Sequence, residues 1–535
     1  VFRGLVFVLV VLFWLVDGFS FASDIGRWEV YQIDLTTTNS YENPYLDVNL
    51  LGTFVGPSNQ RIVIEGFWDG SNNWKIRMAP TEAGHWTYTT TSNDNQLIIS
   101  GDFDVKPSSN RGFIRVNPKN PYTFMYGDGT PFFWIGDTSW NMFSTMKSSI
   151  GYEGARFTEG LNGSDFKSFI DRRSTQGFNV IVAGTAVSEN EGGKPFGDPP
   201  SYDRTNPTYW QWIDRRVEYM NSVGIIARLQ FSRDIFSNAT QVQSEKYMRY
   251  VIARYSAYNV IWDIVGEFEK LKKELFFLRL PIVKRLRRFI EPLLGERWSA
   301  VAFFRNMGNL VKQRDPYKHL TSIHTLDSNN EFGNDSWLDY IMQQRFGTPS
   351  YLHRQILNDR IYGKPVLNEE YGYEGNEYEH TADHIRTKAW AIVTAGGFFT
   401  YGGSNMPGHP ATISCCDHPF DPSRTDLPGA VQVSILKKFM EGTKWWLMDP
   451  HDELIQPSRV GFCLASPGEK YLIYLPDGGS VTLNLSQVGG NFIAKWYNPR
   501  TGEFSNQTTV VTGGGNRNFV PIFSGDAVLH VKKTG

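Results

Sequence analysis

The sequence predicts a multidomain protein: a central (β/α)8 TIM barrel flanked by an N-terminal β-sandwich and a C-terminal all-β domain. Three observations predict it. Residues 24–110 carry short strand-like runs between turn residues, with no helical period. From 118 to 445 short apolar runs alternate with helical stretches, the signature of parallel βα units. From about residue 452 the helical signals stop again and alternating runs return between Gly-rich turns.

The first 22 residues read as a signal peptide. Arg3 is the positive flank, residues 5–16 are unbroken apolar, and Ser20-Phe21-Ala22 is a small-x-small cleavage pattern. That apolar run is short for a membrane span of about twenty residues. The expected location is therefore secreted, periplasmic or at the cell surface, with membrane association only if the segment stays uncleaved. In the region that follows, runs at 45–54, 61–67, 74–79 and 85–91 are separated by turns such as Gly56-Pro57 and Asp69-Gly70-Ser71. This spacing suits a small sandwich. A Pro/Ser/Asn/Arg stretch at 107–112 reads as a linker.

Eight candidate barrel strands follow, at 132–136, 179–183, 225–231, 260–265, 320–323, 340–343, 365–368 and 398–401. Helical stretches at 163–176, 209–223, 241–254 and 384–395 separate several of them. No GxGxxG follows a strand, which argues against an open dinucleotide-binding sheet. The tail domain, 452–535, offers strands at 461–465, 471–475, 480–485, 492–497 and 527–531.

Composition excludes several classes. The 535 residues carry 53 Lys and Arg against 55 Asp and Glu, so no basic excess points to nucleic acid. Three cysteines, Cys415, Cys416 and Cys463, cannot form a complete disulfide framework, and buried free thiols are expected. No CxxC or HExxH occurs, so neither a metal site nor a cofactor is called for. One segment, 270–297, interleaves Lys and Arg with apolar residues at helical spacing. It reads as a surface helix near the barrel rim, or as a lid that attracts acidic substrates.

Chemistry in such a barrel sits where the strands end at their carboxyl side. The fourth strand reads Val260-Ile261-Trp262-Asp263-Ile264-Val265-Gly266-Glu267. Alternation puts the apolar even positions on the helices and sends Asp263 and Glu267 inward. The seventh ends in Asn368-Glu369-Glu370-Tyr371-Gly372-Tyr373-Glu374, and periodicity alone leaves Glu369 and Glu370 open. Two carboxylates on a rigid rim suit glycosidic cleavage. One protonates the leaving oxygen and the other attacks or stabilises the anomeric carbon, directly if they lie about 5–5.5 Å apart. Asp137, Trp140, Arg228, Gln230, His324, Arg345, Tyr371 and Tyr373 are the candidate substrate-binding residues, with Asn179 and Phe346 nearby. No GxSxG is present to support a serine nucleophile.

Three stretches resemble the apiosidase-like family of barrel hydrolases: PYTFMYGDGTPFFWIGDTSW at 121–140, ARYSAYNVIW at 253–262 and KPVLNEEYGYE at 364–374. The resemblance implies a relation to retaining barrel glycosidases, with the acid/base after strand four and the nucleophile after strand seven. Matching the family's Glu-Pro-x-Tyr-Glu to residues 370–374 selects Glu370 as nucleophile and leaves Glu267 as acid/base. Tyr371 stands where the family has Pro, and Gly266-Glu267 where many relatives have Gly-Gly-Asp. The N-terminal Gly66-Phe67-Trp68-Asp69-Gly70 and Gly84-His85-Trp86 resemble the small sandwich that often precedes such barrels. Residues 496–502 resemble a β-domain with a collagen-binding label. The expected function is hydrolysis of a polysaccharide or its side chains, without metal or organic cofactor. The alternative is a non-catalytic carbohydrate-binding or adhesion protein on a barrel scaffold.

Overall fold

Each of the three regions folds around its own apolar pattern. The computed structural model describes residues 25–145, 157, 165–271, 300–375, 380–403, 427–457 and 459–534. The signal-like segment, Cys415, Cys416 and nearly all of the basic 270–297 stretch lie outside the described residues. Among those described, no helix is long and apolar enough to cross a membrane, and Cys463 is a buried free thiol.

In the N-terminal region a five-stranded sheet packs over a three-stranded one, Tyr31–Thr36, Asn73–Met78 and Phe67–Gly70. Alternation along Asn73–Met78 puts Trp74, Ile76 and Met78 between the layers with Phe54 and Trp86. Two strands, Tyr31–Thr36 and Ser100–Lys106, went unread in the sequence although Ile33, Leu35, Phe103 and Val105 alternate with polar residues along them. Residues 45–47, read as the start of a strand, instead belong to the helical turn Pro44–Asp47, with Pro44 at its first position.

The barrel strands are β1 (Ile135–Thr138), β2 (Val180–Gly184), β3 (Ile226–Gln230), β4 (Val260–Asp263), β5 (Thr321–Ser322), β6 (Ile341–Gln343), β7 (Val366–Asn368) and β8 (Phe398–Gly403). Neighbours pair in parallel in the order β5-β4-β3-β2-β1-β8-β7-β6. The seam between β5 and β6 has no ladder. It is drawn together by the Asp339 N–H on the Thr321 carbonyl, 2.9 Å, and the Ser322 hydroxyl on the Tyr340 carbonyl, 3.0 Å. The strands read as short apolar runs because both faces are covered, by the lumen and by the helices. A three-stranded antiparallel unit, Arg115–Val116, Phe124–Met125 and Pro131–Phe132, closes the barrel floor. There the Phe124 ring meets Trp134 at 5.6 Å and Tyr340 at 5.9 Å.

The outer domains are tied on by buried charge. Asp214, on the helix Pro207–Ser222, accepts from Arg254 at 2.7 Å and from Arg77 of the sandwich at 2.6 Å. Arg254 also bonds Asp69 of the sandwich at 2.6 Å, and both guanidinium groups lie over the Phe67 ring. At the other end Asp526 of the tail domain takes Arg386 from the helix Ala382–Thr394, at 2.8 and 2.9 Å, and Arg500 at 2.7 Å. Removing one partner of a buried pair strands the other charge, at a cost of about 3–5 kcal/mol. Arg386→Ala is therefore expected to loosen the tail domain. Limited proteolysis should cut first between residues 448 and 460; an unchanged cleavage rate would refute the role given to Arg386.

The tail domain pairs a six-stranded with a three-stranded antiparallel sheet. Strands Glu503–Thr512 and Asn516–Phe519 were missed in the sequence, the first because it is mostly exposed and polar.

Candidate active site

The site is built where β4 to β7 end. The expected inward turn of Asp263 holds. Its carboxylate takes Arg228 at 2.7 Å and Gln230 at 2.8 Å from β3, while Trp262 faces outward and donates to Asp315 at 3.0 Å. Arg228 also contacts Glu369, whose carboxylate accepts from Thr400 of β8 at 3.0 Å. Arg228, Asp263 and Glu369 are all fully buried. Together they form a charged layer across the lumen.

Above this layer stands His324, just beyond β5. Its own N–H is held by Asp263, 3.1 Å, and by the Val265 carbonyl, 3.0 Å. Its Nδ1 accepts the backbone N–H of Glu267 at 3.2 Å, and its Nε2 lies 3.2 Å from Glu370 Oε1. The backbone of residue 267 and the carboxylate of residue 370 thus stand at opposite nitrogens of one imidazole. Burial pulls His324 down, yet the adjoining Glu370, with Asp263 and Glu369 behind, holds it above the usual histidine range. A second proton would have to sit on Nδ1, where the Glu267 N–H is already the donor. The tautomer with hydrogen on Nε2 leaves Nδ1 to accept the Glu267 N–H and turns its own N–H toward the Glu370 side.

Glu370 is only 5% exposed. Its Oε2 accepts from Gln344, just past β6, at 3.0 Å. Glu267 has φ +47°, a left-handed conformation that costs a non-glycine residue about 1–3 kcal/mol and is typical of functional sites. Its carboxylate contacts Lys270 and lies 3.5 Å from Arg233. Glu269 braces the loop behind: burial raises its carboxyl, which accepts the Leu326 N–H at 3.0 Å and the Thr325 hydroxyl.

Of the residues expected from sequence, Glu267, Glu370, His324, Trp140, Tyr373 and Gln230 come together. Trp140 meets the His324 ring edge-on at 5.2 Å and packs with Val182 and Tyr373. Gln230 lies against Gly266, where an added Cβ would sit 2.8 Å from its amide oxygen.

Four expectations are corrected. Asp137 points outward to Arg173 of the helix Asp165–Thr175, because Gly136 and not its neighbour faces the lumen beside Thr400. Tyr371 is fully buried in the helical shell, 5.6 Å from Phe399. Arg345 turns away to Asp327 and, at 3.4 Å, to Asp359. Arg228 lies beneath the pocket, enclosed by its two carboxylates. Asn179 holds the backbone of 133 and 135 at the barrel floor, and Phe346 is an exposed rim residue.

Gln344, Arg233 and Glu269 were missed. Their signal was present, since each lies within a few residues of a strand's carboxyl end. Gln344→Ala deletes one charge-assisted hydrogen bond to Glu370, worth about 1.5–3 kcal/mol. If Glu370 reacts, kcat should fall about 10- to 100-fold with KM little changed. An unaltered kcat would remove Glu370 from the chemistry.

Among the described residues no cluster of His, Cys, Asp or Glu could hold a metal ion.

These features sit in a barrel whose residues 118–447 match the family model described as "Apiosidase-like, catalytic domain". The chain belongs to the apiosidase-like family. Residues 24–93 match a domain of unknown function, DUF5060, and residues 456–530 match a "Putative collagen-binding domain of a collagenase". No curated protein sequence matches the chain. Among solved structures, the apiosidase-like chain is similar to a "putative glycoside hydrolase" from Bacteroides vulgatus ATCC 8482. That likeness has 19% identity and a TM-score of 0.75 and covers 96% of this chain and 100% of that one. It is also similar to a glycoside hydrolase family 5 protein from the same organism, at 19% identity and TM-score 0.60, covering 79% and 94%. Family and fold together make this a barrel of the glycoside hydrolase type.

Proposed function

We propose that this apiosidase-like protein is a retaining glycoside hydrolase acting on a polysaccharide or its side chains, with Glu370 as nucleophile and Glu267 as acid/base. One observation carries the proposal: in the segments that follow β4 and β7, the backbone N–H of Glu267 and the carboxylate of Glu370 stand at opposite nitrogens of the buried His324 imidazole. Glu370 rather than Glu369 is supported as nucleophile because Glu369 is shut in with Arg228 and Thr400. Glu370 instead reaches the end of the lumen where Trp140 and Tyr373 stand.

In the first step Glu370 attacks the anomeric carbon while Glu267 gives its proton to the departing oxygen. In the second, Glu267 takes a proton from water, which displaces Glu370 from the sugar with net retention. His324 and Gln344 aim the two oxygens of Glu370 beforehand, so little reorganisation is needed as its charge is neutralised. Trp140, backed by the buried Tyr373, offers an apolar ring against which a sugar face can rest.

The test is turnover of a polysaccharide panel followed by NMR of the first product formed. Retained anomeric configuration is expected. Inversion would make Glu370 a base rather than a nucleophile. Glycan binding without turnover across the panel would favour the non-catalytic alternative.

A further inference from the structure

The two faces of the tail domain's six-stranded sheet have different duties. Along Asn491–Asn498 the residues Phe492, Ala494 and Trp496 enter the domain's own core, together with Leu529 and Val531 of the neighbouring strand Ala527–Lys533. The alternate residues face outward, and the register aligns them in rows. Lys495 stands opposite His530, Ile493 opposite Lys532, and Tyr497 opposite Phe504. Directly opposed residues share a face. Part of this face is covered by the barrel's last helix, Pro428–Glu441, whose Phe439 meets Tyr497 at 4.3 Å.

Beyond that helix the face opens into two adjoining hollows of about 380 and 540 Å³, which share Phe504 and His530. That is the size range of ligand sites. Phe504 is 45% exposed, large for an aromatic braced at 5.1 Å by Tyr497. No Asp or Glu lines either hollow among the described residues, whereas Lys438, Lys495, Lys532 and Lys533 do. Lys533 pairs with Glu469 at 3.2 Å, and among the described residues the other three have no carboxylate within ion-pair reach. The His530 Nε2 is buried without a partner between the hollows. Burial and the nearby Lys470 and Lys532 push its imidazole down to about 4.

We propose that this groove is a second glycan site, which holds an anionic polysaccharide chain by resting a sugar face on Phe504, which Tyr497 backs from below, and pairing its carboxylates with Lys438, Lys495 and Lys532. Charge complementarity selects the occupant: a neutral chain would cover three ammonium groups without answering their charge, and a purely electrostatic partner would have no use for the exposed Phe504 ring. The choice of a glycan rests on the hydrolase reading; the binding experiment does not, because it needs no turnover.

The test is calorimetric binding of oligogalacturonate and of a neutral galactan oligomer to the full chain. Oligogalacturonate is expected to bind, and more weakly as salt rises because the contacts are partly exposed. The double variant Lys495→Glu/Lys532→Glu should lose about tenfold or more in affinity, and so should Phe504→Ala; a tenfold loss corresponds to about 1.4 kcal/mol. Both variants should hydrolyse any short substrate of the barrel at the wild-type rate. In the folded wild-type protein, oligogalacturonate should also raise the pKa of His530, followed by NMR. Equal binding of the neutral chain, affinity unchanged in both variants, or binding of a collagen-type peptide but not the uronate would overturn the proposal.

Discussion

Replacing Glu370 by Gln is expected to lower turnover by about 10⁴-fold or more while leaving the fold intact. Gln nearly preserves the shape and can still meet Gln344 and His324, but it cannot form the glycosyl ester on which the two-step route depends. Glu267→Gln should behave differently. General acid catalysis contributes about 10²–10⁴-fold, and that contribution shrinks when the leaving group needs no proton. Aryl glycosides with acidic phenols should therefore react with Glu267→Gln far better than natural linkages do. Their glycosyl-enzyme should then accumulate, and azide should release it as the retained glycosyl azide. Parallel losses on both substrate types would take the acid role from Glu267. Full activity in Glu370→Gln, with far-UV circular dichroism unchanged, would refute the assignment of both residues.

The largest stability effect is expected at the junction between sandwich and barrel. Asp214 is buried and holds two arginines from different domains, and removing it leaves both guanidinium groups confined with one carboxylate fewer. A loss of about 3–5 kcal/mol follows. For a barrel of about 330 residues that is about 4–7 °C in its thermal transition. Burial raises the Asp214 carboxyl, but Arg254 and Arg77 outweigh it and hold the group far below the usual carboxylate range. The sign follows from linkage. With its folded pKa depressed, Asp214 contributes fully above its unfolded pKa of about 4, and the contribution fades as pH falls below that toward the folded value. The gap in stability between wild type and Asp214→Asn should accordingly be wide at neutral pH and narrow on acidification. A gap independent of pH would mean that packing, and not charge, carries the effect.

The sequence by itself determined the order of the three regions and the eight barrel strands, each within a few residues of its observed place. Those strands are buried on both faces, so their apolar runs stand out against helical stretches and turn residues. It also pointed to the carboxyl ends of β4 and β7. Alternation carried the argument as far as Asp263, where the chain is still a strand. Only the tertiary structure decided what lies beyond: Glu267 leaves the strand through a positive φ, and Glu369 and Glu370 part toward Arg228 and toward His324. It likewise turned Asp137, Tyr371 and Arg345 away from the lumen and brought in Gln344. The physical reason is that a period of two encodes facing only inside regular strand, whereas a partner from another strand is set by closure of the barrel, which brings residues distant in the chain within bonding reach.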